Sequence, residues 1–318
     1  MILIASSSLD KPTWEPVAKI LKSKGYRVLV YEADRVAAAD VTFTMRIRDK
    51  GKLECSYDGR PFNPGAISAA WFRRPNMFGE QQQNKLKQQS LDGERQAIQA
   101  TLWAKIPEVK WLNPPARIGK AEPKLLQLEL ANLLGMEIPD TIVTNQLSAV
   151  TKYLAPQLIF KAARVGILYD GNQAKFLYTT PVNPKNLPQH ANPFPGLWQP
   201  NIVKRREWRI TIVGSQCFDA AIYTDQGARA DWRRPEFGKY VTFKHEEFPE
   251  KIKKKCQMYL KRLGLRYGAF DFIEDDQGRI VFLECNPNGQ YGWLEAELGL
   301  PISRAIAEQL ISIADNSQ

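Results

Sequence analysis

The sequence has 318 residues, of which 44% are hydrophobic and 25% charged. These values are ordinary for a globular protein and exclude a disordered or fibrous chain. No stretch approaches the roughly 18 uncharged apolar residues of a membrane span, and the first residues lack the basic region of a signal peptide. Four scattered cysteines without C-x-x-C spacing argue against a zinc ribbon and a disulfide framework. Two histidines exclude a histidine-rich metal site. A cytoplasmic protein is therefore expected.

The net charge is +10, and it is unevenly distributed along the chain. Residues 201–262 hold 15 Lys and Arg against 8 Asp and Glu, which places +7 of the excess in one fifth of the sequence. A basic surface attracts polyanions such as nucleotides, nucleic acid or an acidic peptide. The charge by itself is equally compatible with a solvated basic face that has no partner.

The chain opens with the pattern of a βαβ unit. Strands are predicted at 2–5 and 26–31, with a helix between them that begins near Pro12. The first turn lacks G-x-G-x-x-G, which argues against a dinucleotide site. A further strand at 67–72 ends in two arginines, and a polar helix is predicted from about residue 84 to 104.

Prolines 114 and 115 indicate a domain edge. The middle of the chain predicts a helix at 123–135, strands at 138–144 and 158–162, and a loop at 181–200, where six of 20 residues are proline. The last third predicts two hairpins, at 208–223 and 268–284, and two helices, at 246–263 and 300–314.

The most specific feature is the last hairpin. Glu284 and Asn286 are two residues apart on one predicted strand, so they share a face, and Asp271 on the paired strand can meet them. Both carboxylates are embedded in apolar strands, where an unpartnered charge is costly. Two carboxylates and an amide oxygen suit Mg²⁺, which is usually bound together with phosphates. Solvated acids at a hairpin are the alternative.

Basic side chains from elsewhere are expected to face such phosphates. Lys161 ends an apolar run, and Arg209 alternates with Trp208 and Ile210 on a strand. Both positions favour an anionic partner, although Lys161 is also compatible with a surface lysine. Arg233 and Arg234 lie in a polar stretch that is equally typical of a surface loop.

The order of these residues along the chain resembles that of the ATP-grasp carboxylate ligases. The sequence is most similar to the microviridin-type peptide maturases, or graspetide synthetases. The resemblance rests on the motifs Trp71-Phe-Arg-Arg-Pro75, Asp231-Trp-Arg-Arg234 and Phe282-Leu-Glu-Cys-Asn-Pro-Asn-Gly289. It implies an α/β (α+β) fold in which an amino-terminal βαβ pre-ATP-grasp domain precedes two subdomains that clamp ATP. The domains expected are 1–117, 118–197 and 198–318.

The resemblance also implies roles for individual residues. ATP would be held by Lys124, Lys161, the hinge residues Gln199, Pro200, Asn201 and Ile202, and Glu207 on the ribose or adenine side. Arg209 and Arg233 would neutralise the γ-phosphate and the acyl phosphate as catalytic residues. Mg²⁺ would be bound by Asp271, Glu284 and Asn286. The substrate side would comprise Arg73, Arg74, Arg234, Asn288 and Gln290, although Arg73 and Arg74 also fit a surface role.

The implied reaction phosphorylates an Asp or Glu side chain of a ribosomal precursor peptide, and a hydroxyl or amine then forms an ω-ester or ω-amide macrocycle. No covalent nucleophile is needed, and Cys285, opposite Glu284 in direction, is expected in the core. One departure concerns the segment 181–195, which contains no Asp or Glu, whereas this region of the family contributes acidic residues to leader binding.

Two alternatives remain open at the level of sequence. A different ATP-grasp ligase would join an amino acid or small amine to a carboxylate. A nucleic-acid-binding protein would use the basic residues of the helix at 246–263, but no recognised nucleic-acid module is present. Neither nucleic acid nor a membrane is the expected partner, and a homodimer is compatible with the resemblance.

Overall fold

The computed structural model describes residues 1–48, 51–75, 85–146, 148–150, 157–161, 167–170, 173–176, 180–183, 195–224 and 241–316. The amino-terminal elements are β1 (Ile2–Ser6), α1 (Lys11–Ser23), β2 (Val28–Glu32), α2 (Ala33–Ala37), β3 (Phe43–Arg48), β4 (Lys52–Tyr57), β5 (Arg60–Phe62), β6 (Ala69–Phe72) and α3 (Lys85–Trp103). The strands β2-β1-β6 form a parallel sheet in that order. The strands β3-β4-β5 form a separate antiparallel meander.

The middle of the chain contributes α4 (Pro115–Ala121), α5 (Lys124–Leu133), β7 (Ile142–Thr144), β8 (Leu158–Lys161), β9 (Ile167–Asp170), β10 (Gln173–Phe176), β11 (Thr180–Val182) and β12 (Gly196–Pro200). A four-stranded sheet has the order β11-β8-β12-β7, and β9 pairs with β10. The remaining elements are β13 (Lys204–Val213), β14 (Gln216–Thr224), β15 (Val241–Lys244), α6 (Glu250–Leu263), β16 (Tyr267–Asp275), β17 (Ile280–Asn286), α7 (Gly292–Leu298) and α8 (Ile302–Asp315). A five-stranded antiparallel sheet has the order β15-β14-β13-β16-β17.

One hydrophobic core joins the amino-terminal sheet to the carboxy-terminal part of the chain. Ile2 and Ile4 of β1 pack in a cluster with Trp71 of β6, Phe218 of β14 and Leu310 of α8. A second cluster lies between the five-stranded sheet and the helices α5 and α6, and a third fills the other face of the parallel sheet. The shared core brings the carboxyl ends of β1 and β6 to the loop that follows β17, where the candidate site lies.

The predicted α/β fold is confirmed, and most predicted elements occur within a few residues of their expected bounds. The proline-rich stretch is partly an exception, because Gly196–Pro200 is a strand and not a loop. Leu197 and Trp198 of this strand are buried between β8 and β7, so tertiary packing outweighs the local proline signal. The meander at 43–62 was not predicted, although Asp58-Gly59 is a hairpin-turn signal. The domain boundaries remain predictions, and the one after residue 197 falls within β12.

Among the helices that the structure describes, none is both long and apolar enough to cross a membrane.

Candidate active site

A row of charged side chains crosses three neighbouring strands of the five-stranded sheet. Arg209 of β13 stands opposite Asp271 of β16, which stands opposite Glu284 of β17. Residues paired directly across a sheet lie on the same face. The Nε of Arg209 lies 2.7 Å from the Oδ1 of Asp271 in an ion pair whose side chains are 10% and 17% exposed. The guanidinium therefore neutralises one of the two carboxylates at the centre of the site.

The second carboxylate of the row is neutralised from a helix. The Nζ of Lys124, at the start of α5, lies 3.2 Å from the Oε2 of Glu284. The buried side chain of Gln127, one turn further along α5, pairs with both backbone groups of Cys285: its Nε2 donates to the carbonyl at 2.8 Å, and its Oε1 accepts from the amide at 3.0 Å. Gln127 thus attaches α5 to β17 beside Glu284 and sets the position of Lys124.

Asn286 lies two residues after Glu284 on β17, where it pairs with Ala269 of β16. It is therefore on the same face as Glu284, as the sequence predicts. The Oδ1 of Asn286 accepts a hydrogen bond of 2.9 Å from the backbone amide of Asn288. Cys285, between the two, is buried in the second core cluster, where burial raises its pKa well above the usual value. It is therefore a packing residue, as expected.

The loop after β17 lies tightly against the sheet. A Cβ on Gly289 would approach the Cβ of Ala269 to 2.5 Å, so only glycine fits at this position of the motif. The Tyr267 hydroxyl donates to the carbonyl of Gly289 at 2.8 Å, and an Arg209 nitrogen lies 3.5 Å from the Gln290 carbonyl. The conformation of this loop is thereby linked to the catalytic arginine predicted from the sequence.

Arg73, which the sequence placed at the substrate or on the surface, is 1% exposed. Its guanidinium donates to Asp10 at 2.8 Å, to the carbonyls of Asn288 and Gly289 at 2.8 and 3.1 Å, and to the side chain of Gln290. The surface role is therefore wrong, because the side chain is enclosed. With its donors used inside the protein, Arg73 clamps the amino-terminal sheet to the loop after β17.

Asn288 and Gln290, the other expected substrate residues, belong to this same clamp. Gln290 accepts from Arg73 and donates to the Oδ1 of Asp10 at 3.2 Å. The Asn288 side chain lies 3.4 Å from Arg73. Arg74 follows Arg73 and is half-buried, with its Nε 3.4 Å from the Asn288 carbonyl. The direct contact of these residues with substrate stays a prediction.

The expected nucleotide hinge lies at the end of β12. Gln199 is 3% exposed; its Nε2 donates to Thr141 at 2.9 Å, whereas its buried Oε1 has no hydrogen-bond partner in the described part of the chain. Pro200 ends the strand, and the amide of Asn201 donates to the Gln157 carbonyl at 2.8 Å, so that amide is occupied. Ile202 follows in irregular backbone.

Two further predicted nucleotide contacts lie on strands next to the hinge. Glu207 of β13 forms an ion pair with Lys204, whose side chain is only 5% exposed. Lys161 ends β8 opposite Leu197 of β12 and is half-buried. Arg233 and Arg234, the remaining predicted phosphate and substrate residues, lie outside the described residues.

Three buried polar residues of the site were not predicted: Asp10, Asn113 and Gln127. Asn113 accepts from the amides of Arg266 and Tyr267 and donates to the carbonyls of Tyr267 and Pro287 at 2.9 and 2.8 Å. A sequence signal existed for Gln127, since helical spacing places it on the stripe of Leu128 and Ala131. The signal for Asp10 was its place after a parallel strand, because ligands of such sheets bind at the carboxyl ends of the strands.

The donor set at the row fits Mg²⁺. Asp271, Glu284 and Asn286 are half-buried and supply only oxygen atoms, the ligand type that this hard cation prefers. No group of three His, Cys, Asp or Glu side chains with metal-binding geometry occurs among the described residues. The set Asp271, Glu284 and Asn286 differs from such groups because its third member is an amide. The flanking cations Arg209 and Lys124 suit phosphate oxygens bound to the same metal.

Comparison with known families and structures agrees with this geometry. Residues 1–119 match the family model described as the MvdD pre-ATP grasp domain. Comparison with curated proteins gives no significant match.

Similar solved structures cover almost the whole chain. The macrocyclase MdnC from Microcystis aeruginosa MRC, bound to its precursor peptide MdnA, is 30% identical, with a TM-score of 0.83 over 98% of this chain and 99% of that one. The macrocyclase MdnB from the same organism is 29% identical, with a TM-score of 0.78 over 98% of both chains. A RiPP-associated ATP-grasp ligase from Chryseobacterium gregarium, in complex with ADP and a leader and core peptide, is 24% identical; its TM-score is 0.82, and the match covers 98% of this chain and 96% of that one.

Proposed function

The chain belongs to the microviridin-type family of ATP-grasp ligases, the graspetide synthetases, and on this premise we propose that it macrocyclises an acidic ribosomal precursor peptide. It is an ATP-dependent ligase that forms ω-esters or ω-amides from Asp or Glu side chains. The observation that carries the proposal is the row Arg209, Asp271 and Glu284, with Lys124 beside it. The two carboxylates are suited to bind a metal, and the two cations beside them are suited to bind the phosphates that accompany it.

The reaction has two balanced steps. An oxygen of the peptide carboxylate attacks the γ-phosphorus of ATP, and ADP leaves, which gives an acyl phosphate. The hydroxyl or amino group of a second side chain then attacks the acyl carbon; phosphate leaves, and the nucleophile loses its proton. The first step converts a carboxylate, which is a poor electrophile, into a group with a good leaving group. The protein therefore needs to position the reactants and stabilise negative charge.

The residues of the row and their neighbours would have separate roles in this reaction. Asp271, Glu284 and Asn286 would hold Mg²⁺, which supplies positive charge to the phosphate oxygens when bound. Arg209 extends the positive charge toward the transferred phosphoryl group and is itself oriented by Asp271. Lys124, which contacts Glu284 here, would turn to a phosphate oxygen once metal and nucleotide are bound. The Arg73 clamp keeps the loop after Asn286 in place throughout.

The nucleotide base would lie at the end of β12. The buried Oε1 of Gln199 is an acceptor without a partner among the described residues, and an unpaired buried polar atom is costly unless a ligand satisfies it. An adenine amino group is a suitable donor. Glu207 would accept from the ribose hydroxyls once Lys204 releases it, and Lys161 would contact phosphate oxygens. The ADP of the Chryseobacterium ligase supports a nucleotide in this fold.

The peptide partner agrees with the charge of the enzyme. A net charge of +10 accelerates the encounter with an acidic peptide through long-range attraction. We propose the same substrate class as the precursor peptide bound to MdnC, with Thr, Ser or Lys as acceptors. ATP, reduced cysteines and a ribosomal substrate suit the cytoplasm. A homodimer stays a prediction.

Co-expression with small acidic peptides encoded beside the gene tests the proposal. The expected result is a peptide that loses mass in whole-water steps, one water for each bond formed. The same experiment with Glu284→Gln should give the unmodified mass. A peptide that gains the mass of an amino acid would contradict macrocyclisation and indicate a ligase that adds a small amine. An unchanged peptide with the wild-type enzyme, although it binds ATP, would overturn the peptide substrate.

A further inference from the structure

Arg74 adopts a backbone conformation that arginine rarely takes. Its φ angle is +52°, in the left-handed region that favours glycine, and it precedes Pro75, which restricts the preceding residue further. Such a conformation is unfavourable for a non-glycine residue, and residues that hold it cluster at active sites and ligand-binding sites. Glycine here would relieve the strain, so the arginine side chain is expected to serve a purpose.

The guanidinium of Arg74 forms no ion pair with a described residue. Its neighbours Arg73 and Arg209 are paired with Asp10 and Asp271, whereas Arg74 has no carboxylate partner in the described part of the chain. Burial, followed by the charge of Arg73, lowers the pKa of Arg74 to about 10, so the group stays protonated at neutral pH. A half-buried cation beside two other guanidiniums is best stabilised by an anion from outside the protein.

The position of Arg74 in the fold is that of a ligand-binding residue. The parallel sheet has the order β2-β1-β6, so the strand order reverses between β1 and β6. Ligands of such sheets bind outside the carboxyl ends of the strands at this point, and Arg74 lies just beyond the end of β6.

Arg74 is also connected to the predicted metal ligands. Its Nε contacts the carbonyl of Asn288 at 3.4 Å, and the amide of Asn288 donates to the Oδ1 of Asn286 at 2.9 Å. An anion bound by Arg74 would therefore lie near the phosphates that Asn286 and Arg209 are proposed to serve.

We propose that Arg74 binds the side-chain carboxylate of the peptide that is to be phosphorylated, while Arg73 only positions the loop after β17. This inference rests on the proposed function and deepens it, because it assigns recognition of the donor Asp or Glu to one residue. A guanidinium matches a carboxylate through two parallel hydrogen bonds, which also fixes the direction of the attacking oxygen.

A binding experiment without turnover tests the assignment. The probes are a blocked synthetic peptide of Thr, Ser, Asp and Glu, and the same peptide with every Asp and Glu replaced by Asn or Gln. Their dissociation constants are measured by fluorescence anisotropy with Mg²⁺ and ADP at physiological ionic strength. The proteins are the wild type, Arg74→Gly, Arg74→Met and the control Arg60→Met, which removes an equal charge from an exposed position.

We expect the wild type and Arg60→Met to bind the acidic peptide at least about 10-fold more tightly than the amide peptide, since one charged hydrogen bond is worth roughly that factor. In both Arg74 variants the ratio of the two dissociation constants should fall by about 10-fold relative to the wild type. Arg74→Gly should melt no lower than the wild type, because glycine accepts the positive φ. Equal binding of both peptides by the wild type, or undiminished discrimination by Arg74→Gly, would overturn the assignment. The binding assay contains ADP and therefore does not depend on turnover. Failure of the proposed ligase reaction would appear in a separate assay with ATP, as absent turnover.

Discussion

Arg209 and Asp271 stand opposite each other on neighbouring strands, and the guanidinium Nε lies 2.7 Å from a carboxylate oxygen. This pair joins the group expected to neutralise phosphate with a group expected to bind metal. Arg209 and Asp271 are expected to serve different functions, but the ion pair makes the orientation of each side chain depend on the other. The effects of their substitution should therefore not be additive.

Substitution of the metal carboxylate Glu284 is the simplest prediction. Glu284→Gln keeps the size of the side chain but removes a charge from the metal site, so turnover should fall by at least about 100-fold with the fold intact. The exposed Glu297 provides a matched control, and Glu297→Gln should keep wild-type turnover. The assay is ADP formation with peptide as Mg²⁺ is varied. Near-wild-type turnover in folded Glu284→Gln would contradict the metal assignment.

Arg209→Met should impair the phosphoryl step. Loss of a donor aimed at developing charge typically lowers kcat by about 100-fold to 1,000-fold, and the KM for peptide should change little. Arg205→Met is the control, because Arg205 lies on the same strand with its side chain 61% exposed. The opposite pattern, a raised KM for peptide with normal kcat, would place Arg209 in the acceptor site.

Lys124→Met tests the proposed exchange of Lys124 between Glu284 and phosphate. The KM for ATP should rise by about 10-fold or more, since a charge-assisted hydrogen bond is lost. The control Lys120→Met changes an exposed residue near the end of α4 and should leave the KM for ATP unchanged. If Lys124→Met leaves the KM for ATP unaltered, Lys124 serves only to balance Glu284.

Arg73→Met should act mainly on stability. It removes the cationic partner of the buried Asp10 carboxylate, and breaking a buried ion pair in this way typically costs about 3–5 kcal/mol of unfolding free energy. The double variant with Asp10→Asn should lose less than the sum of the two single losses, as measured by urea unfolding. Additive losses would show that the two side chains do not stabilise each other, contrary to the clamp.

The sequence predicted the components of the site better than their connections. Period-two spacing placed Glu284 and Asn286 on one face, and the structure agrees, with Asp271 of β16 directly opposite Glu284. The burial of Arg73 was not predictable, since it depends on a core shared by β1, β6 and α8 that no local pattern encodes. The strand at Gly196–Pro200 was missed for a similar reason, because its partners come from distant segments.

The fate of the carboxylate oxygen tests the central claim most directly. The peptide would carry heavy oxygen in its Asp and Glu side chains, and the released phosphate would be analysed by mass spectrometry. The account predicts one heavy oxygen in the phosphate for each bond formed, because the attacking carboxylate oxygen leaves with the phosphoryl group. Bond formation without heavy oxygen in the phosphate would contradict activation of the peptide carboxylate by ATP.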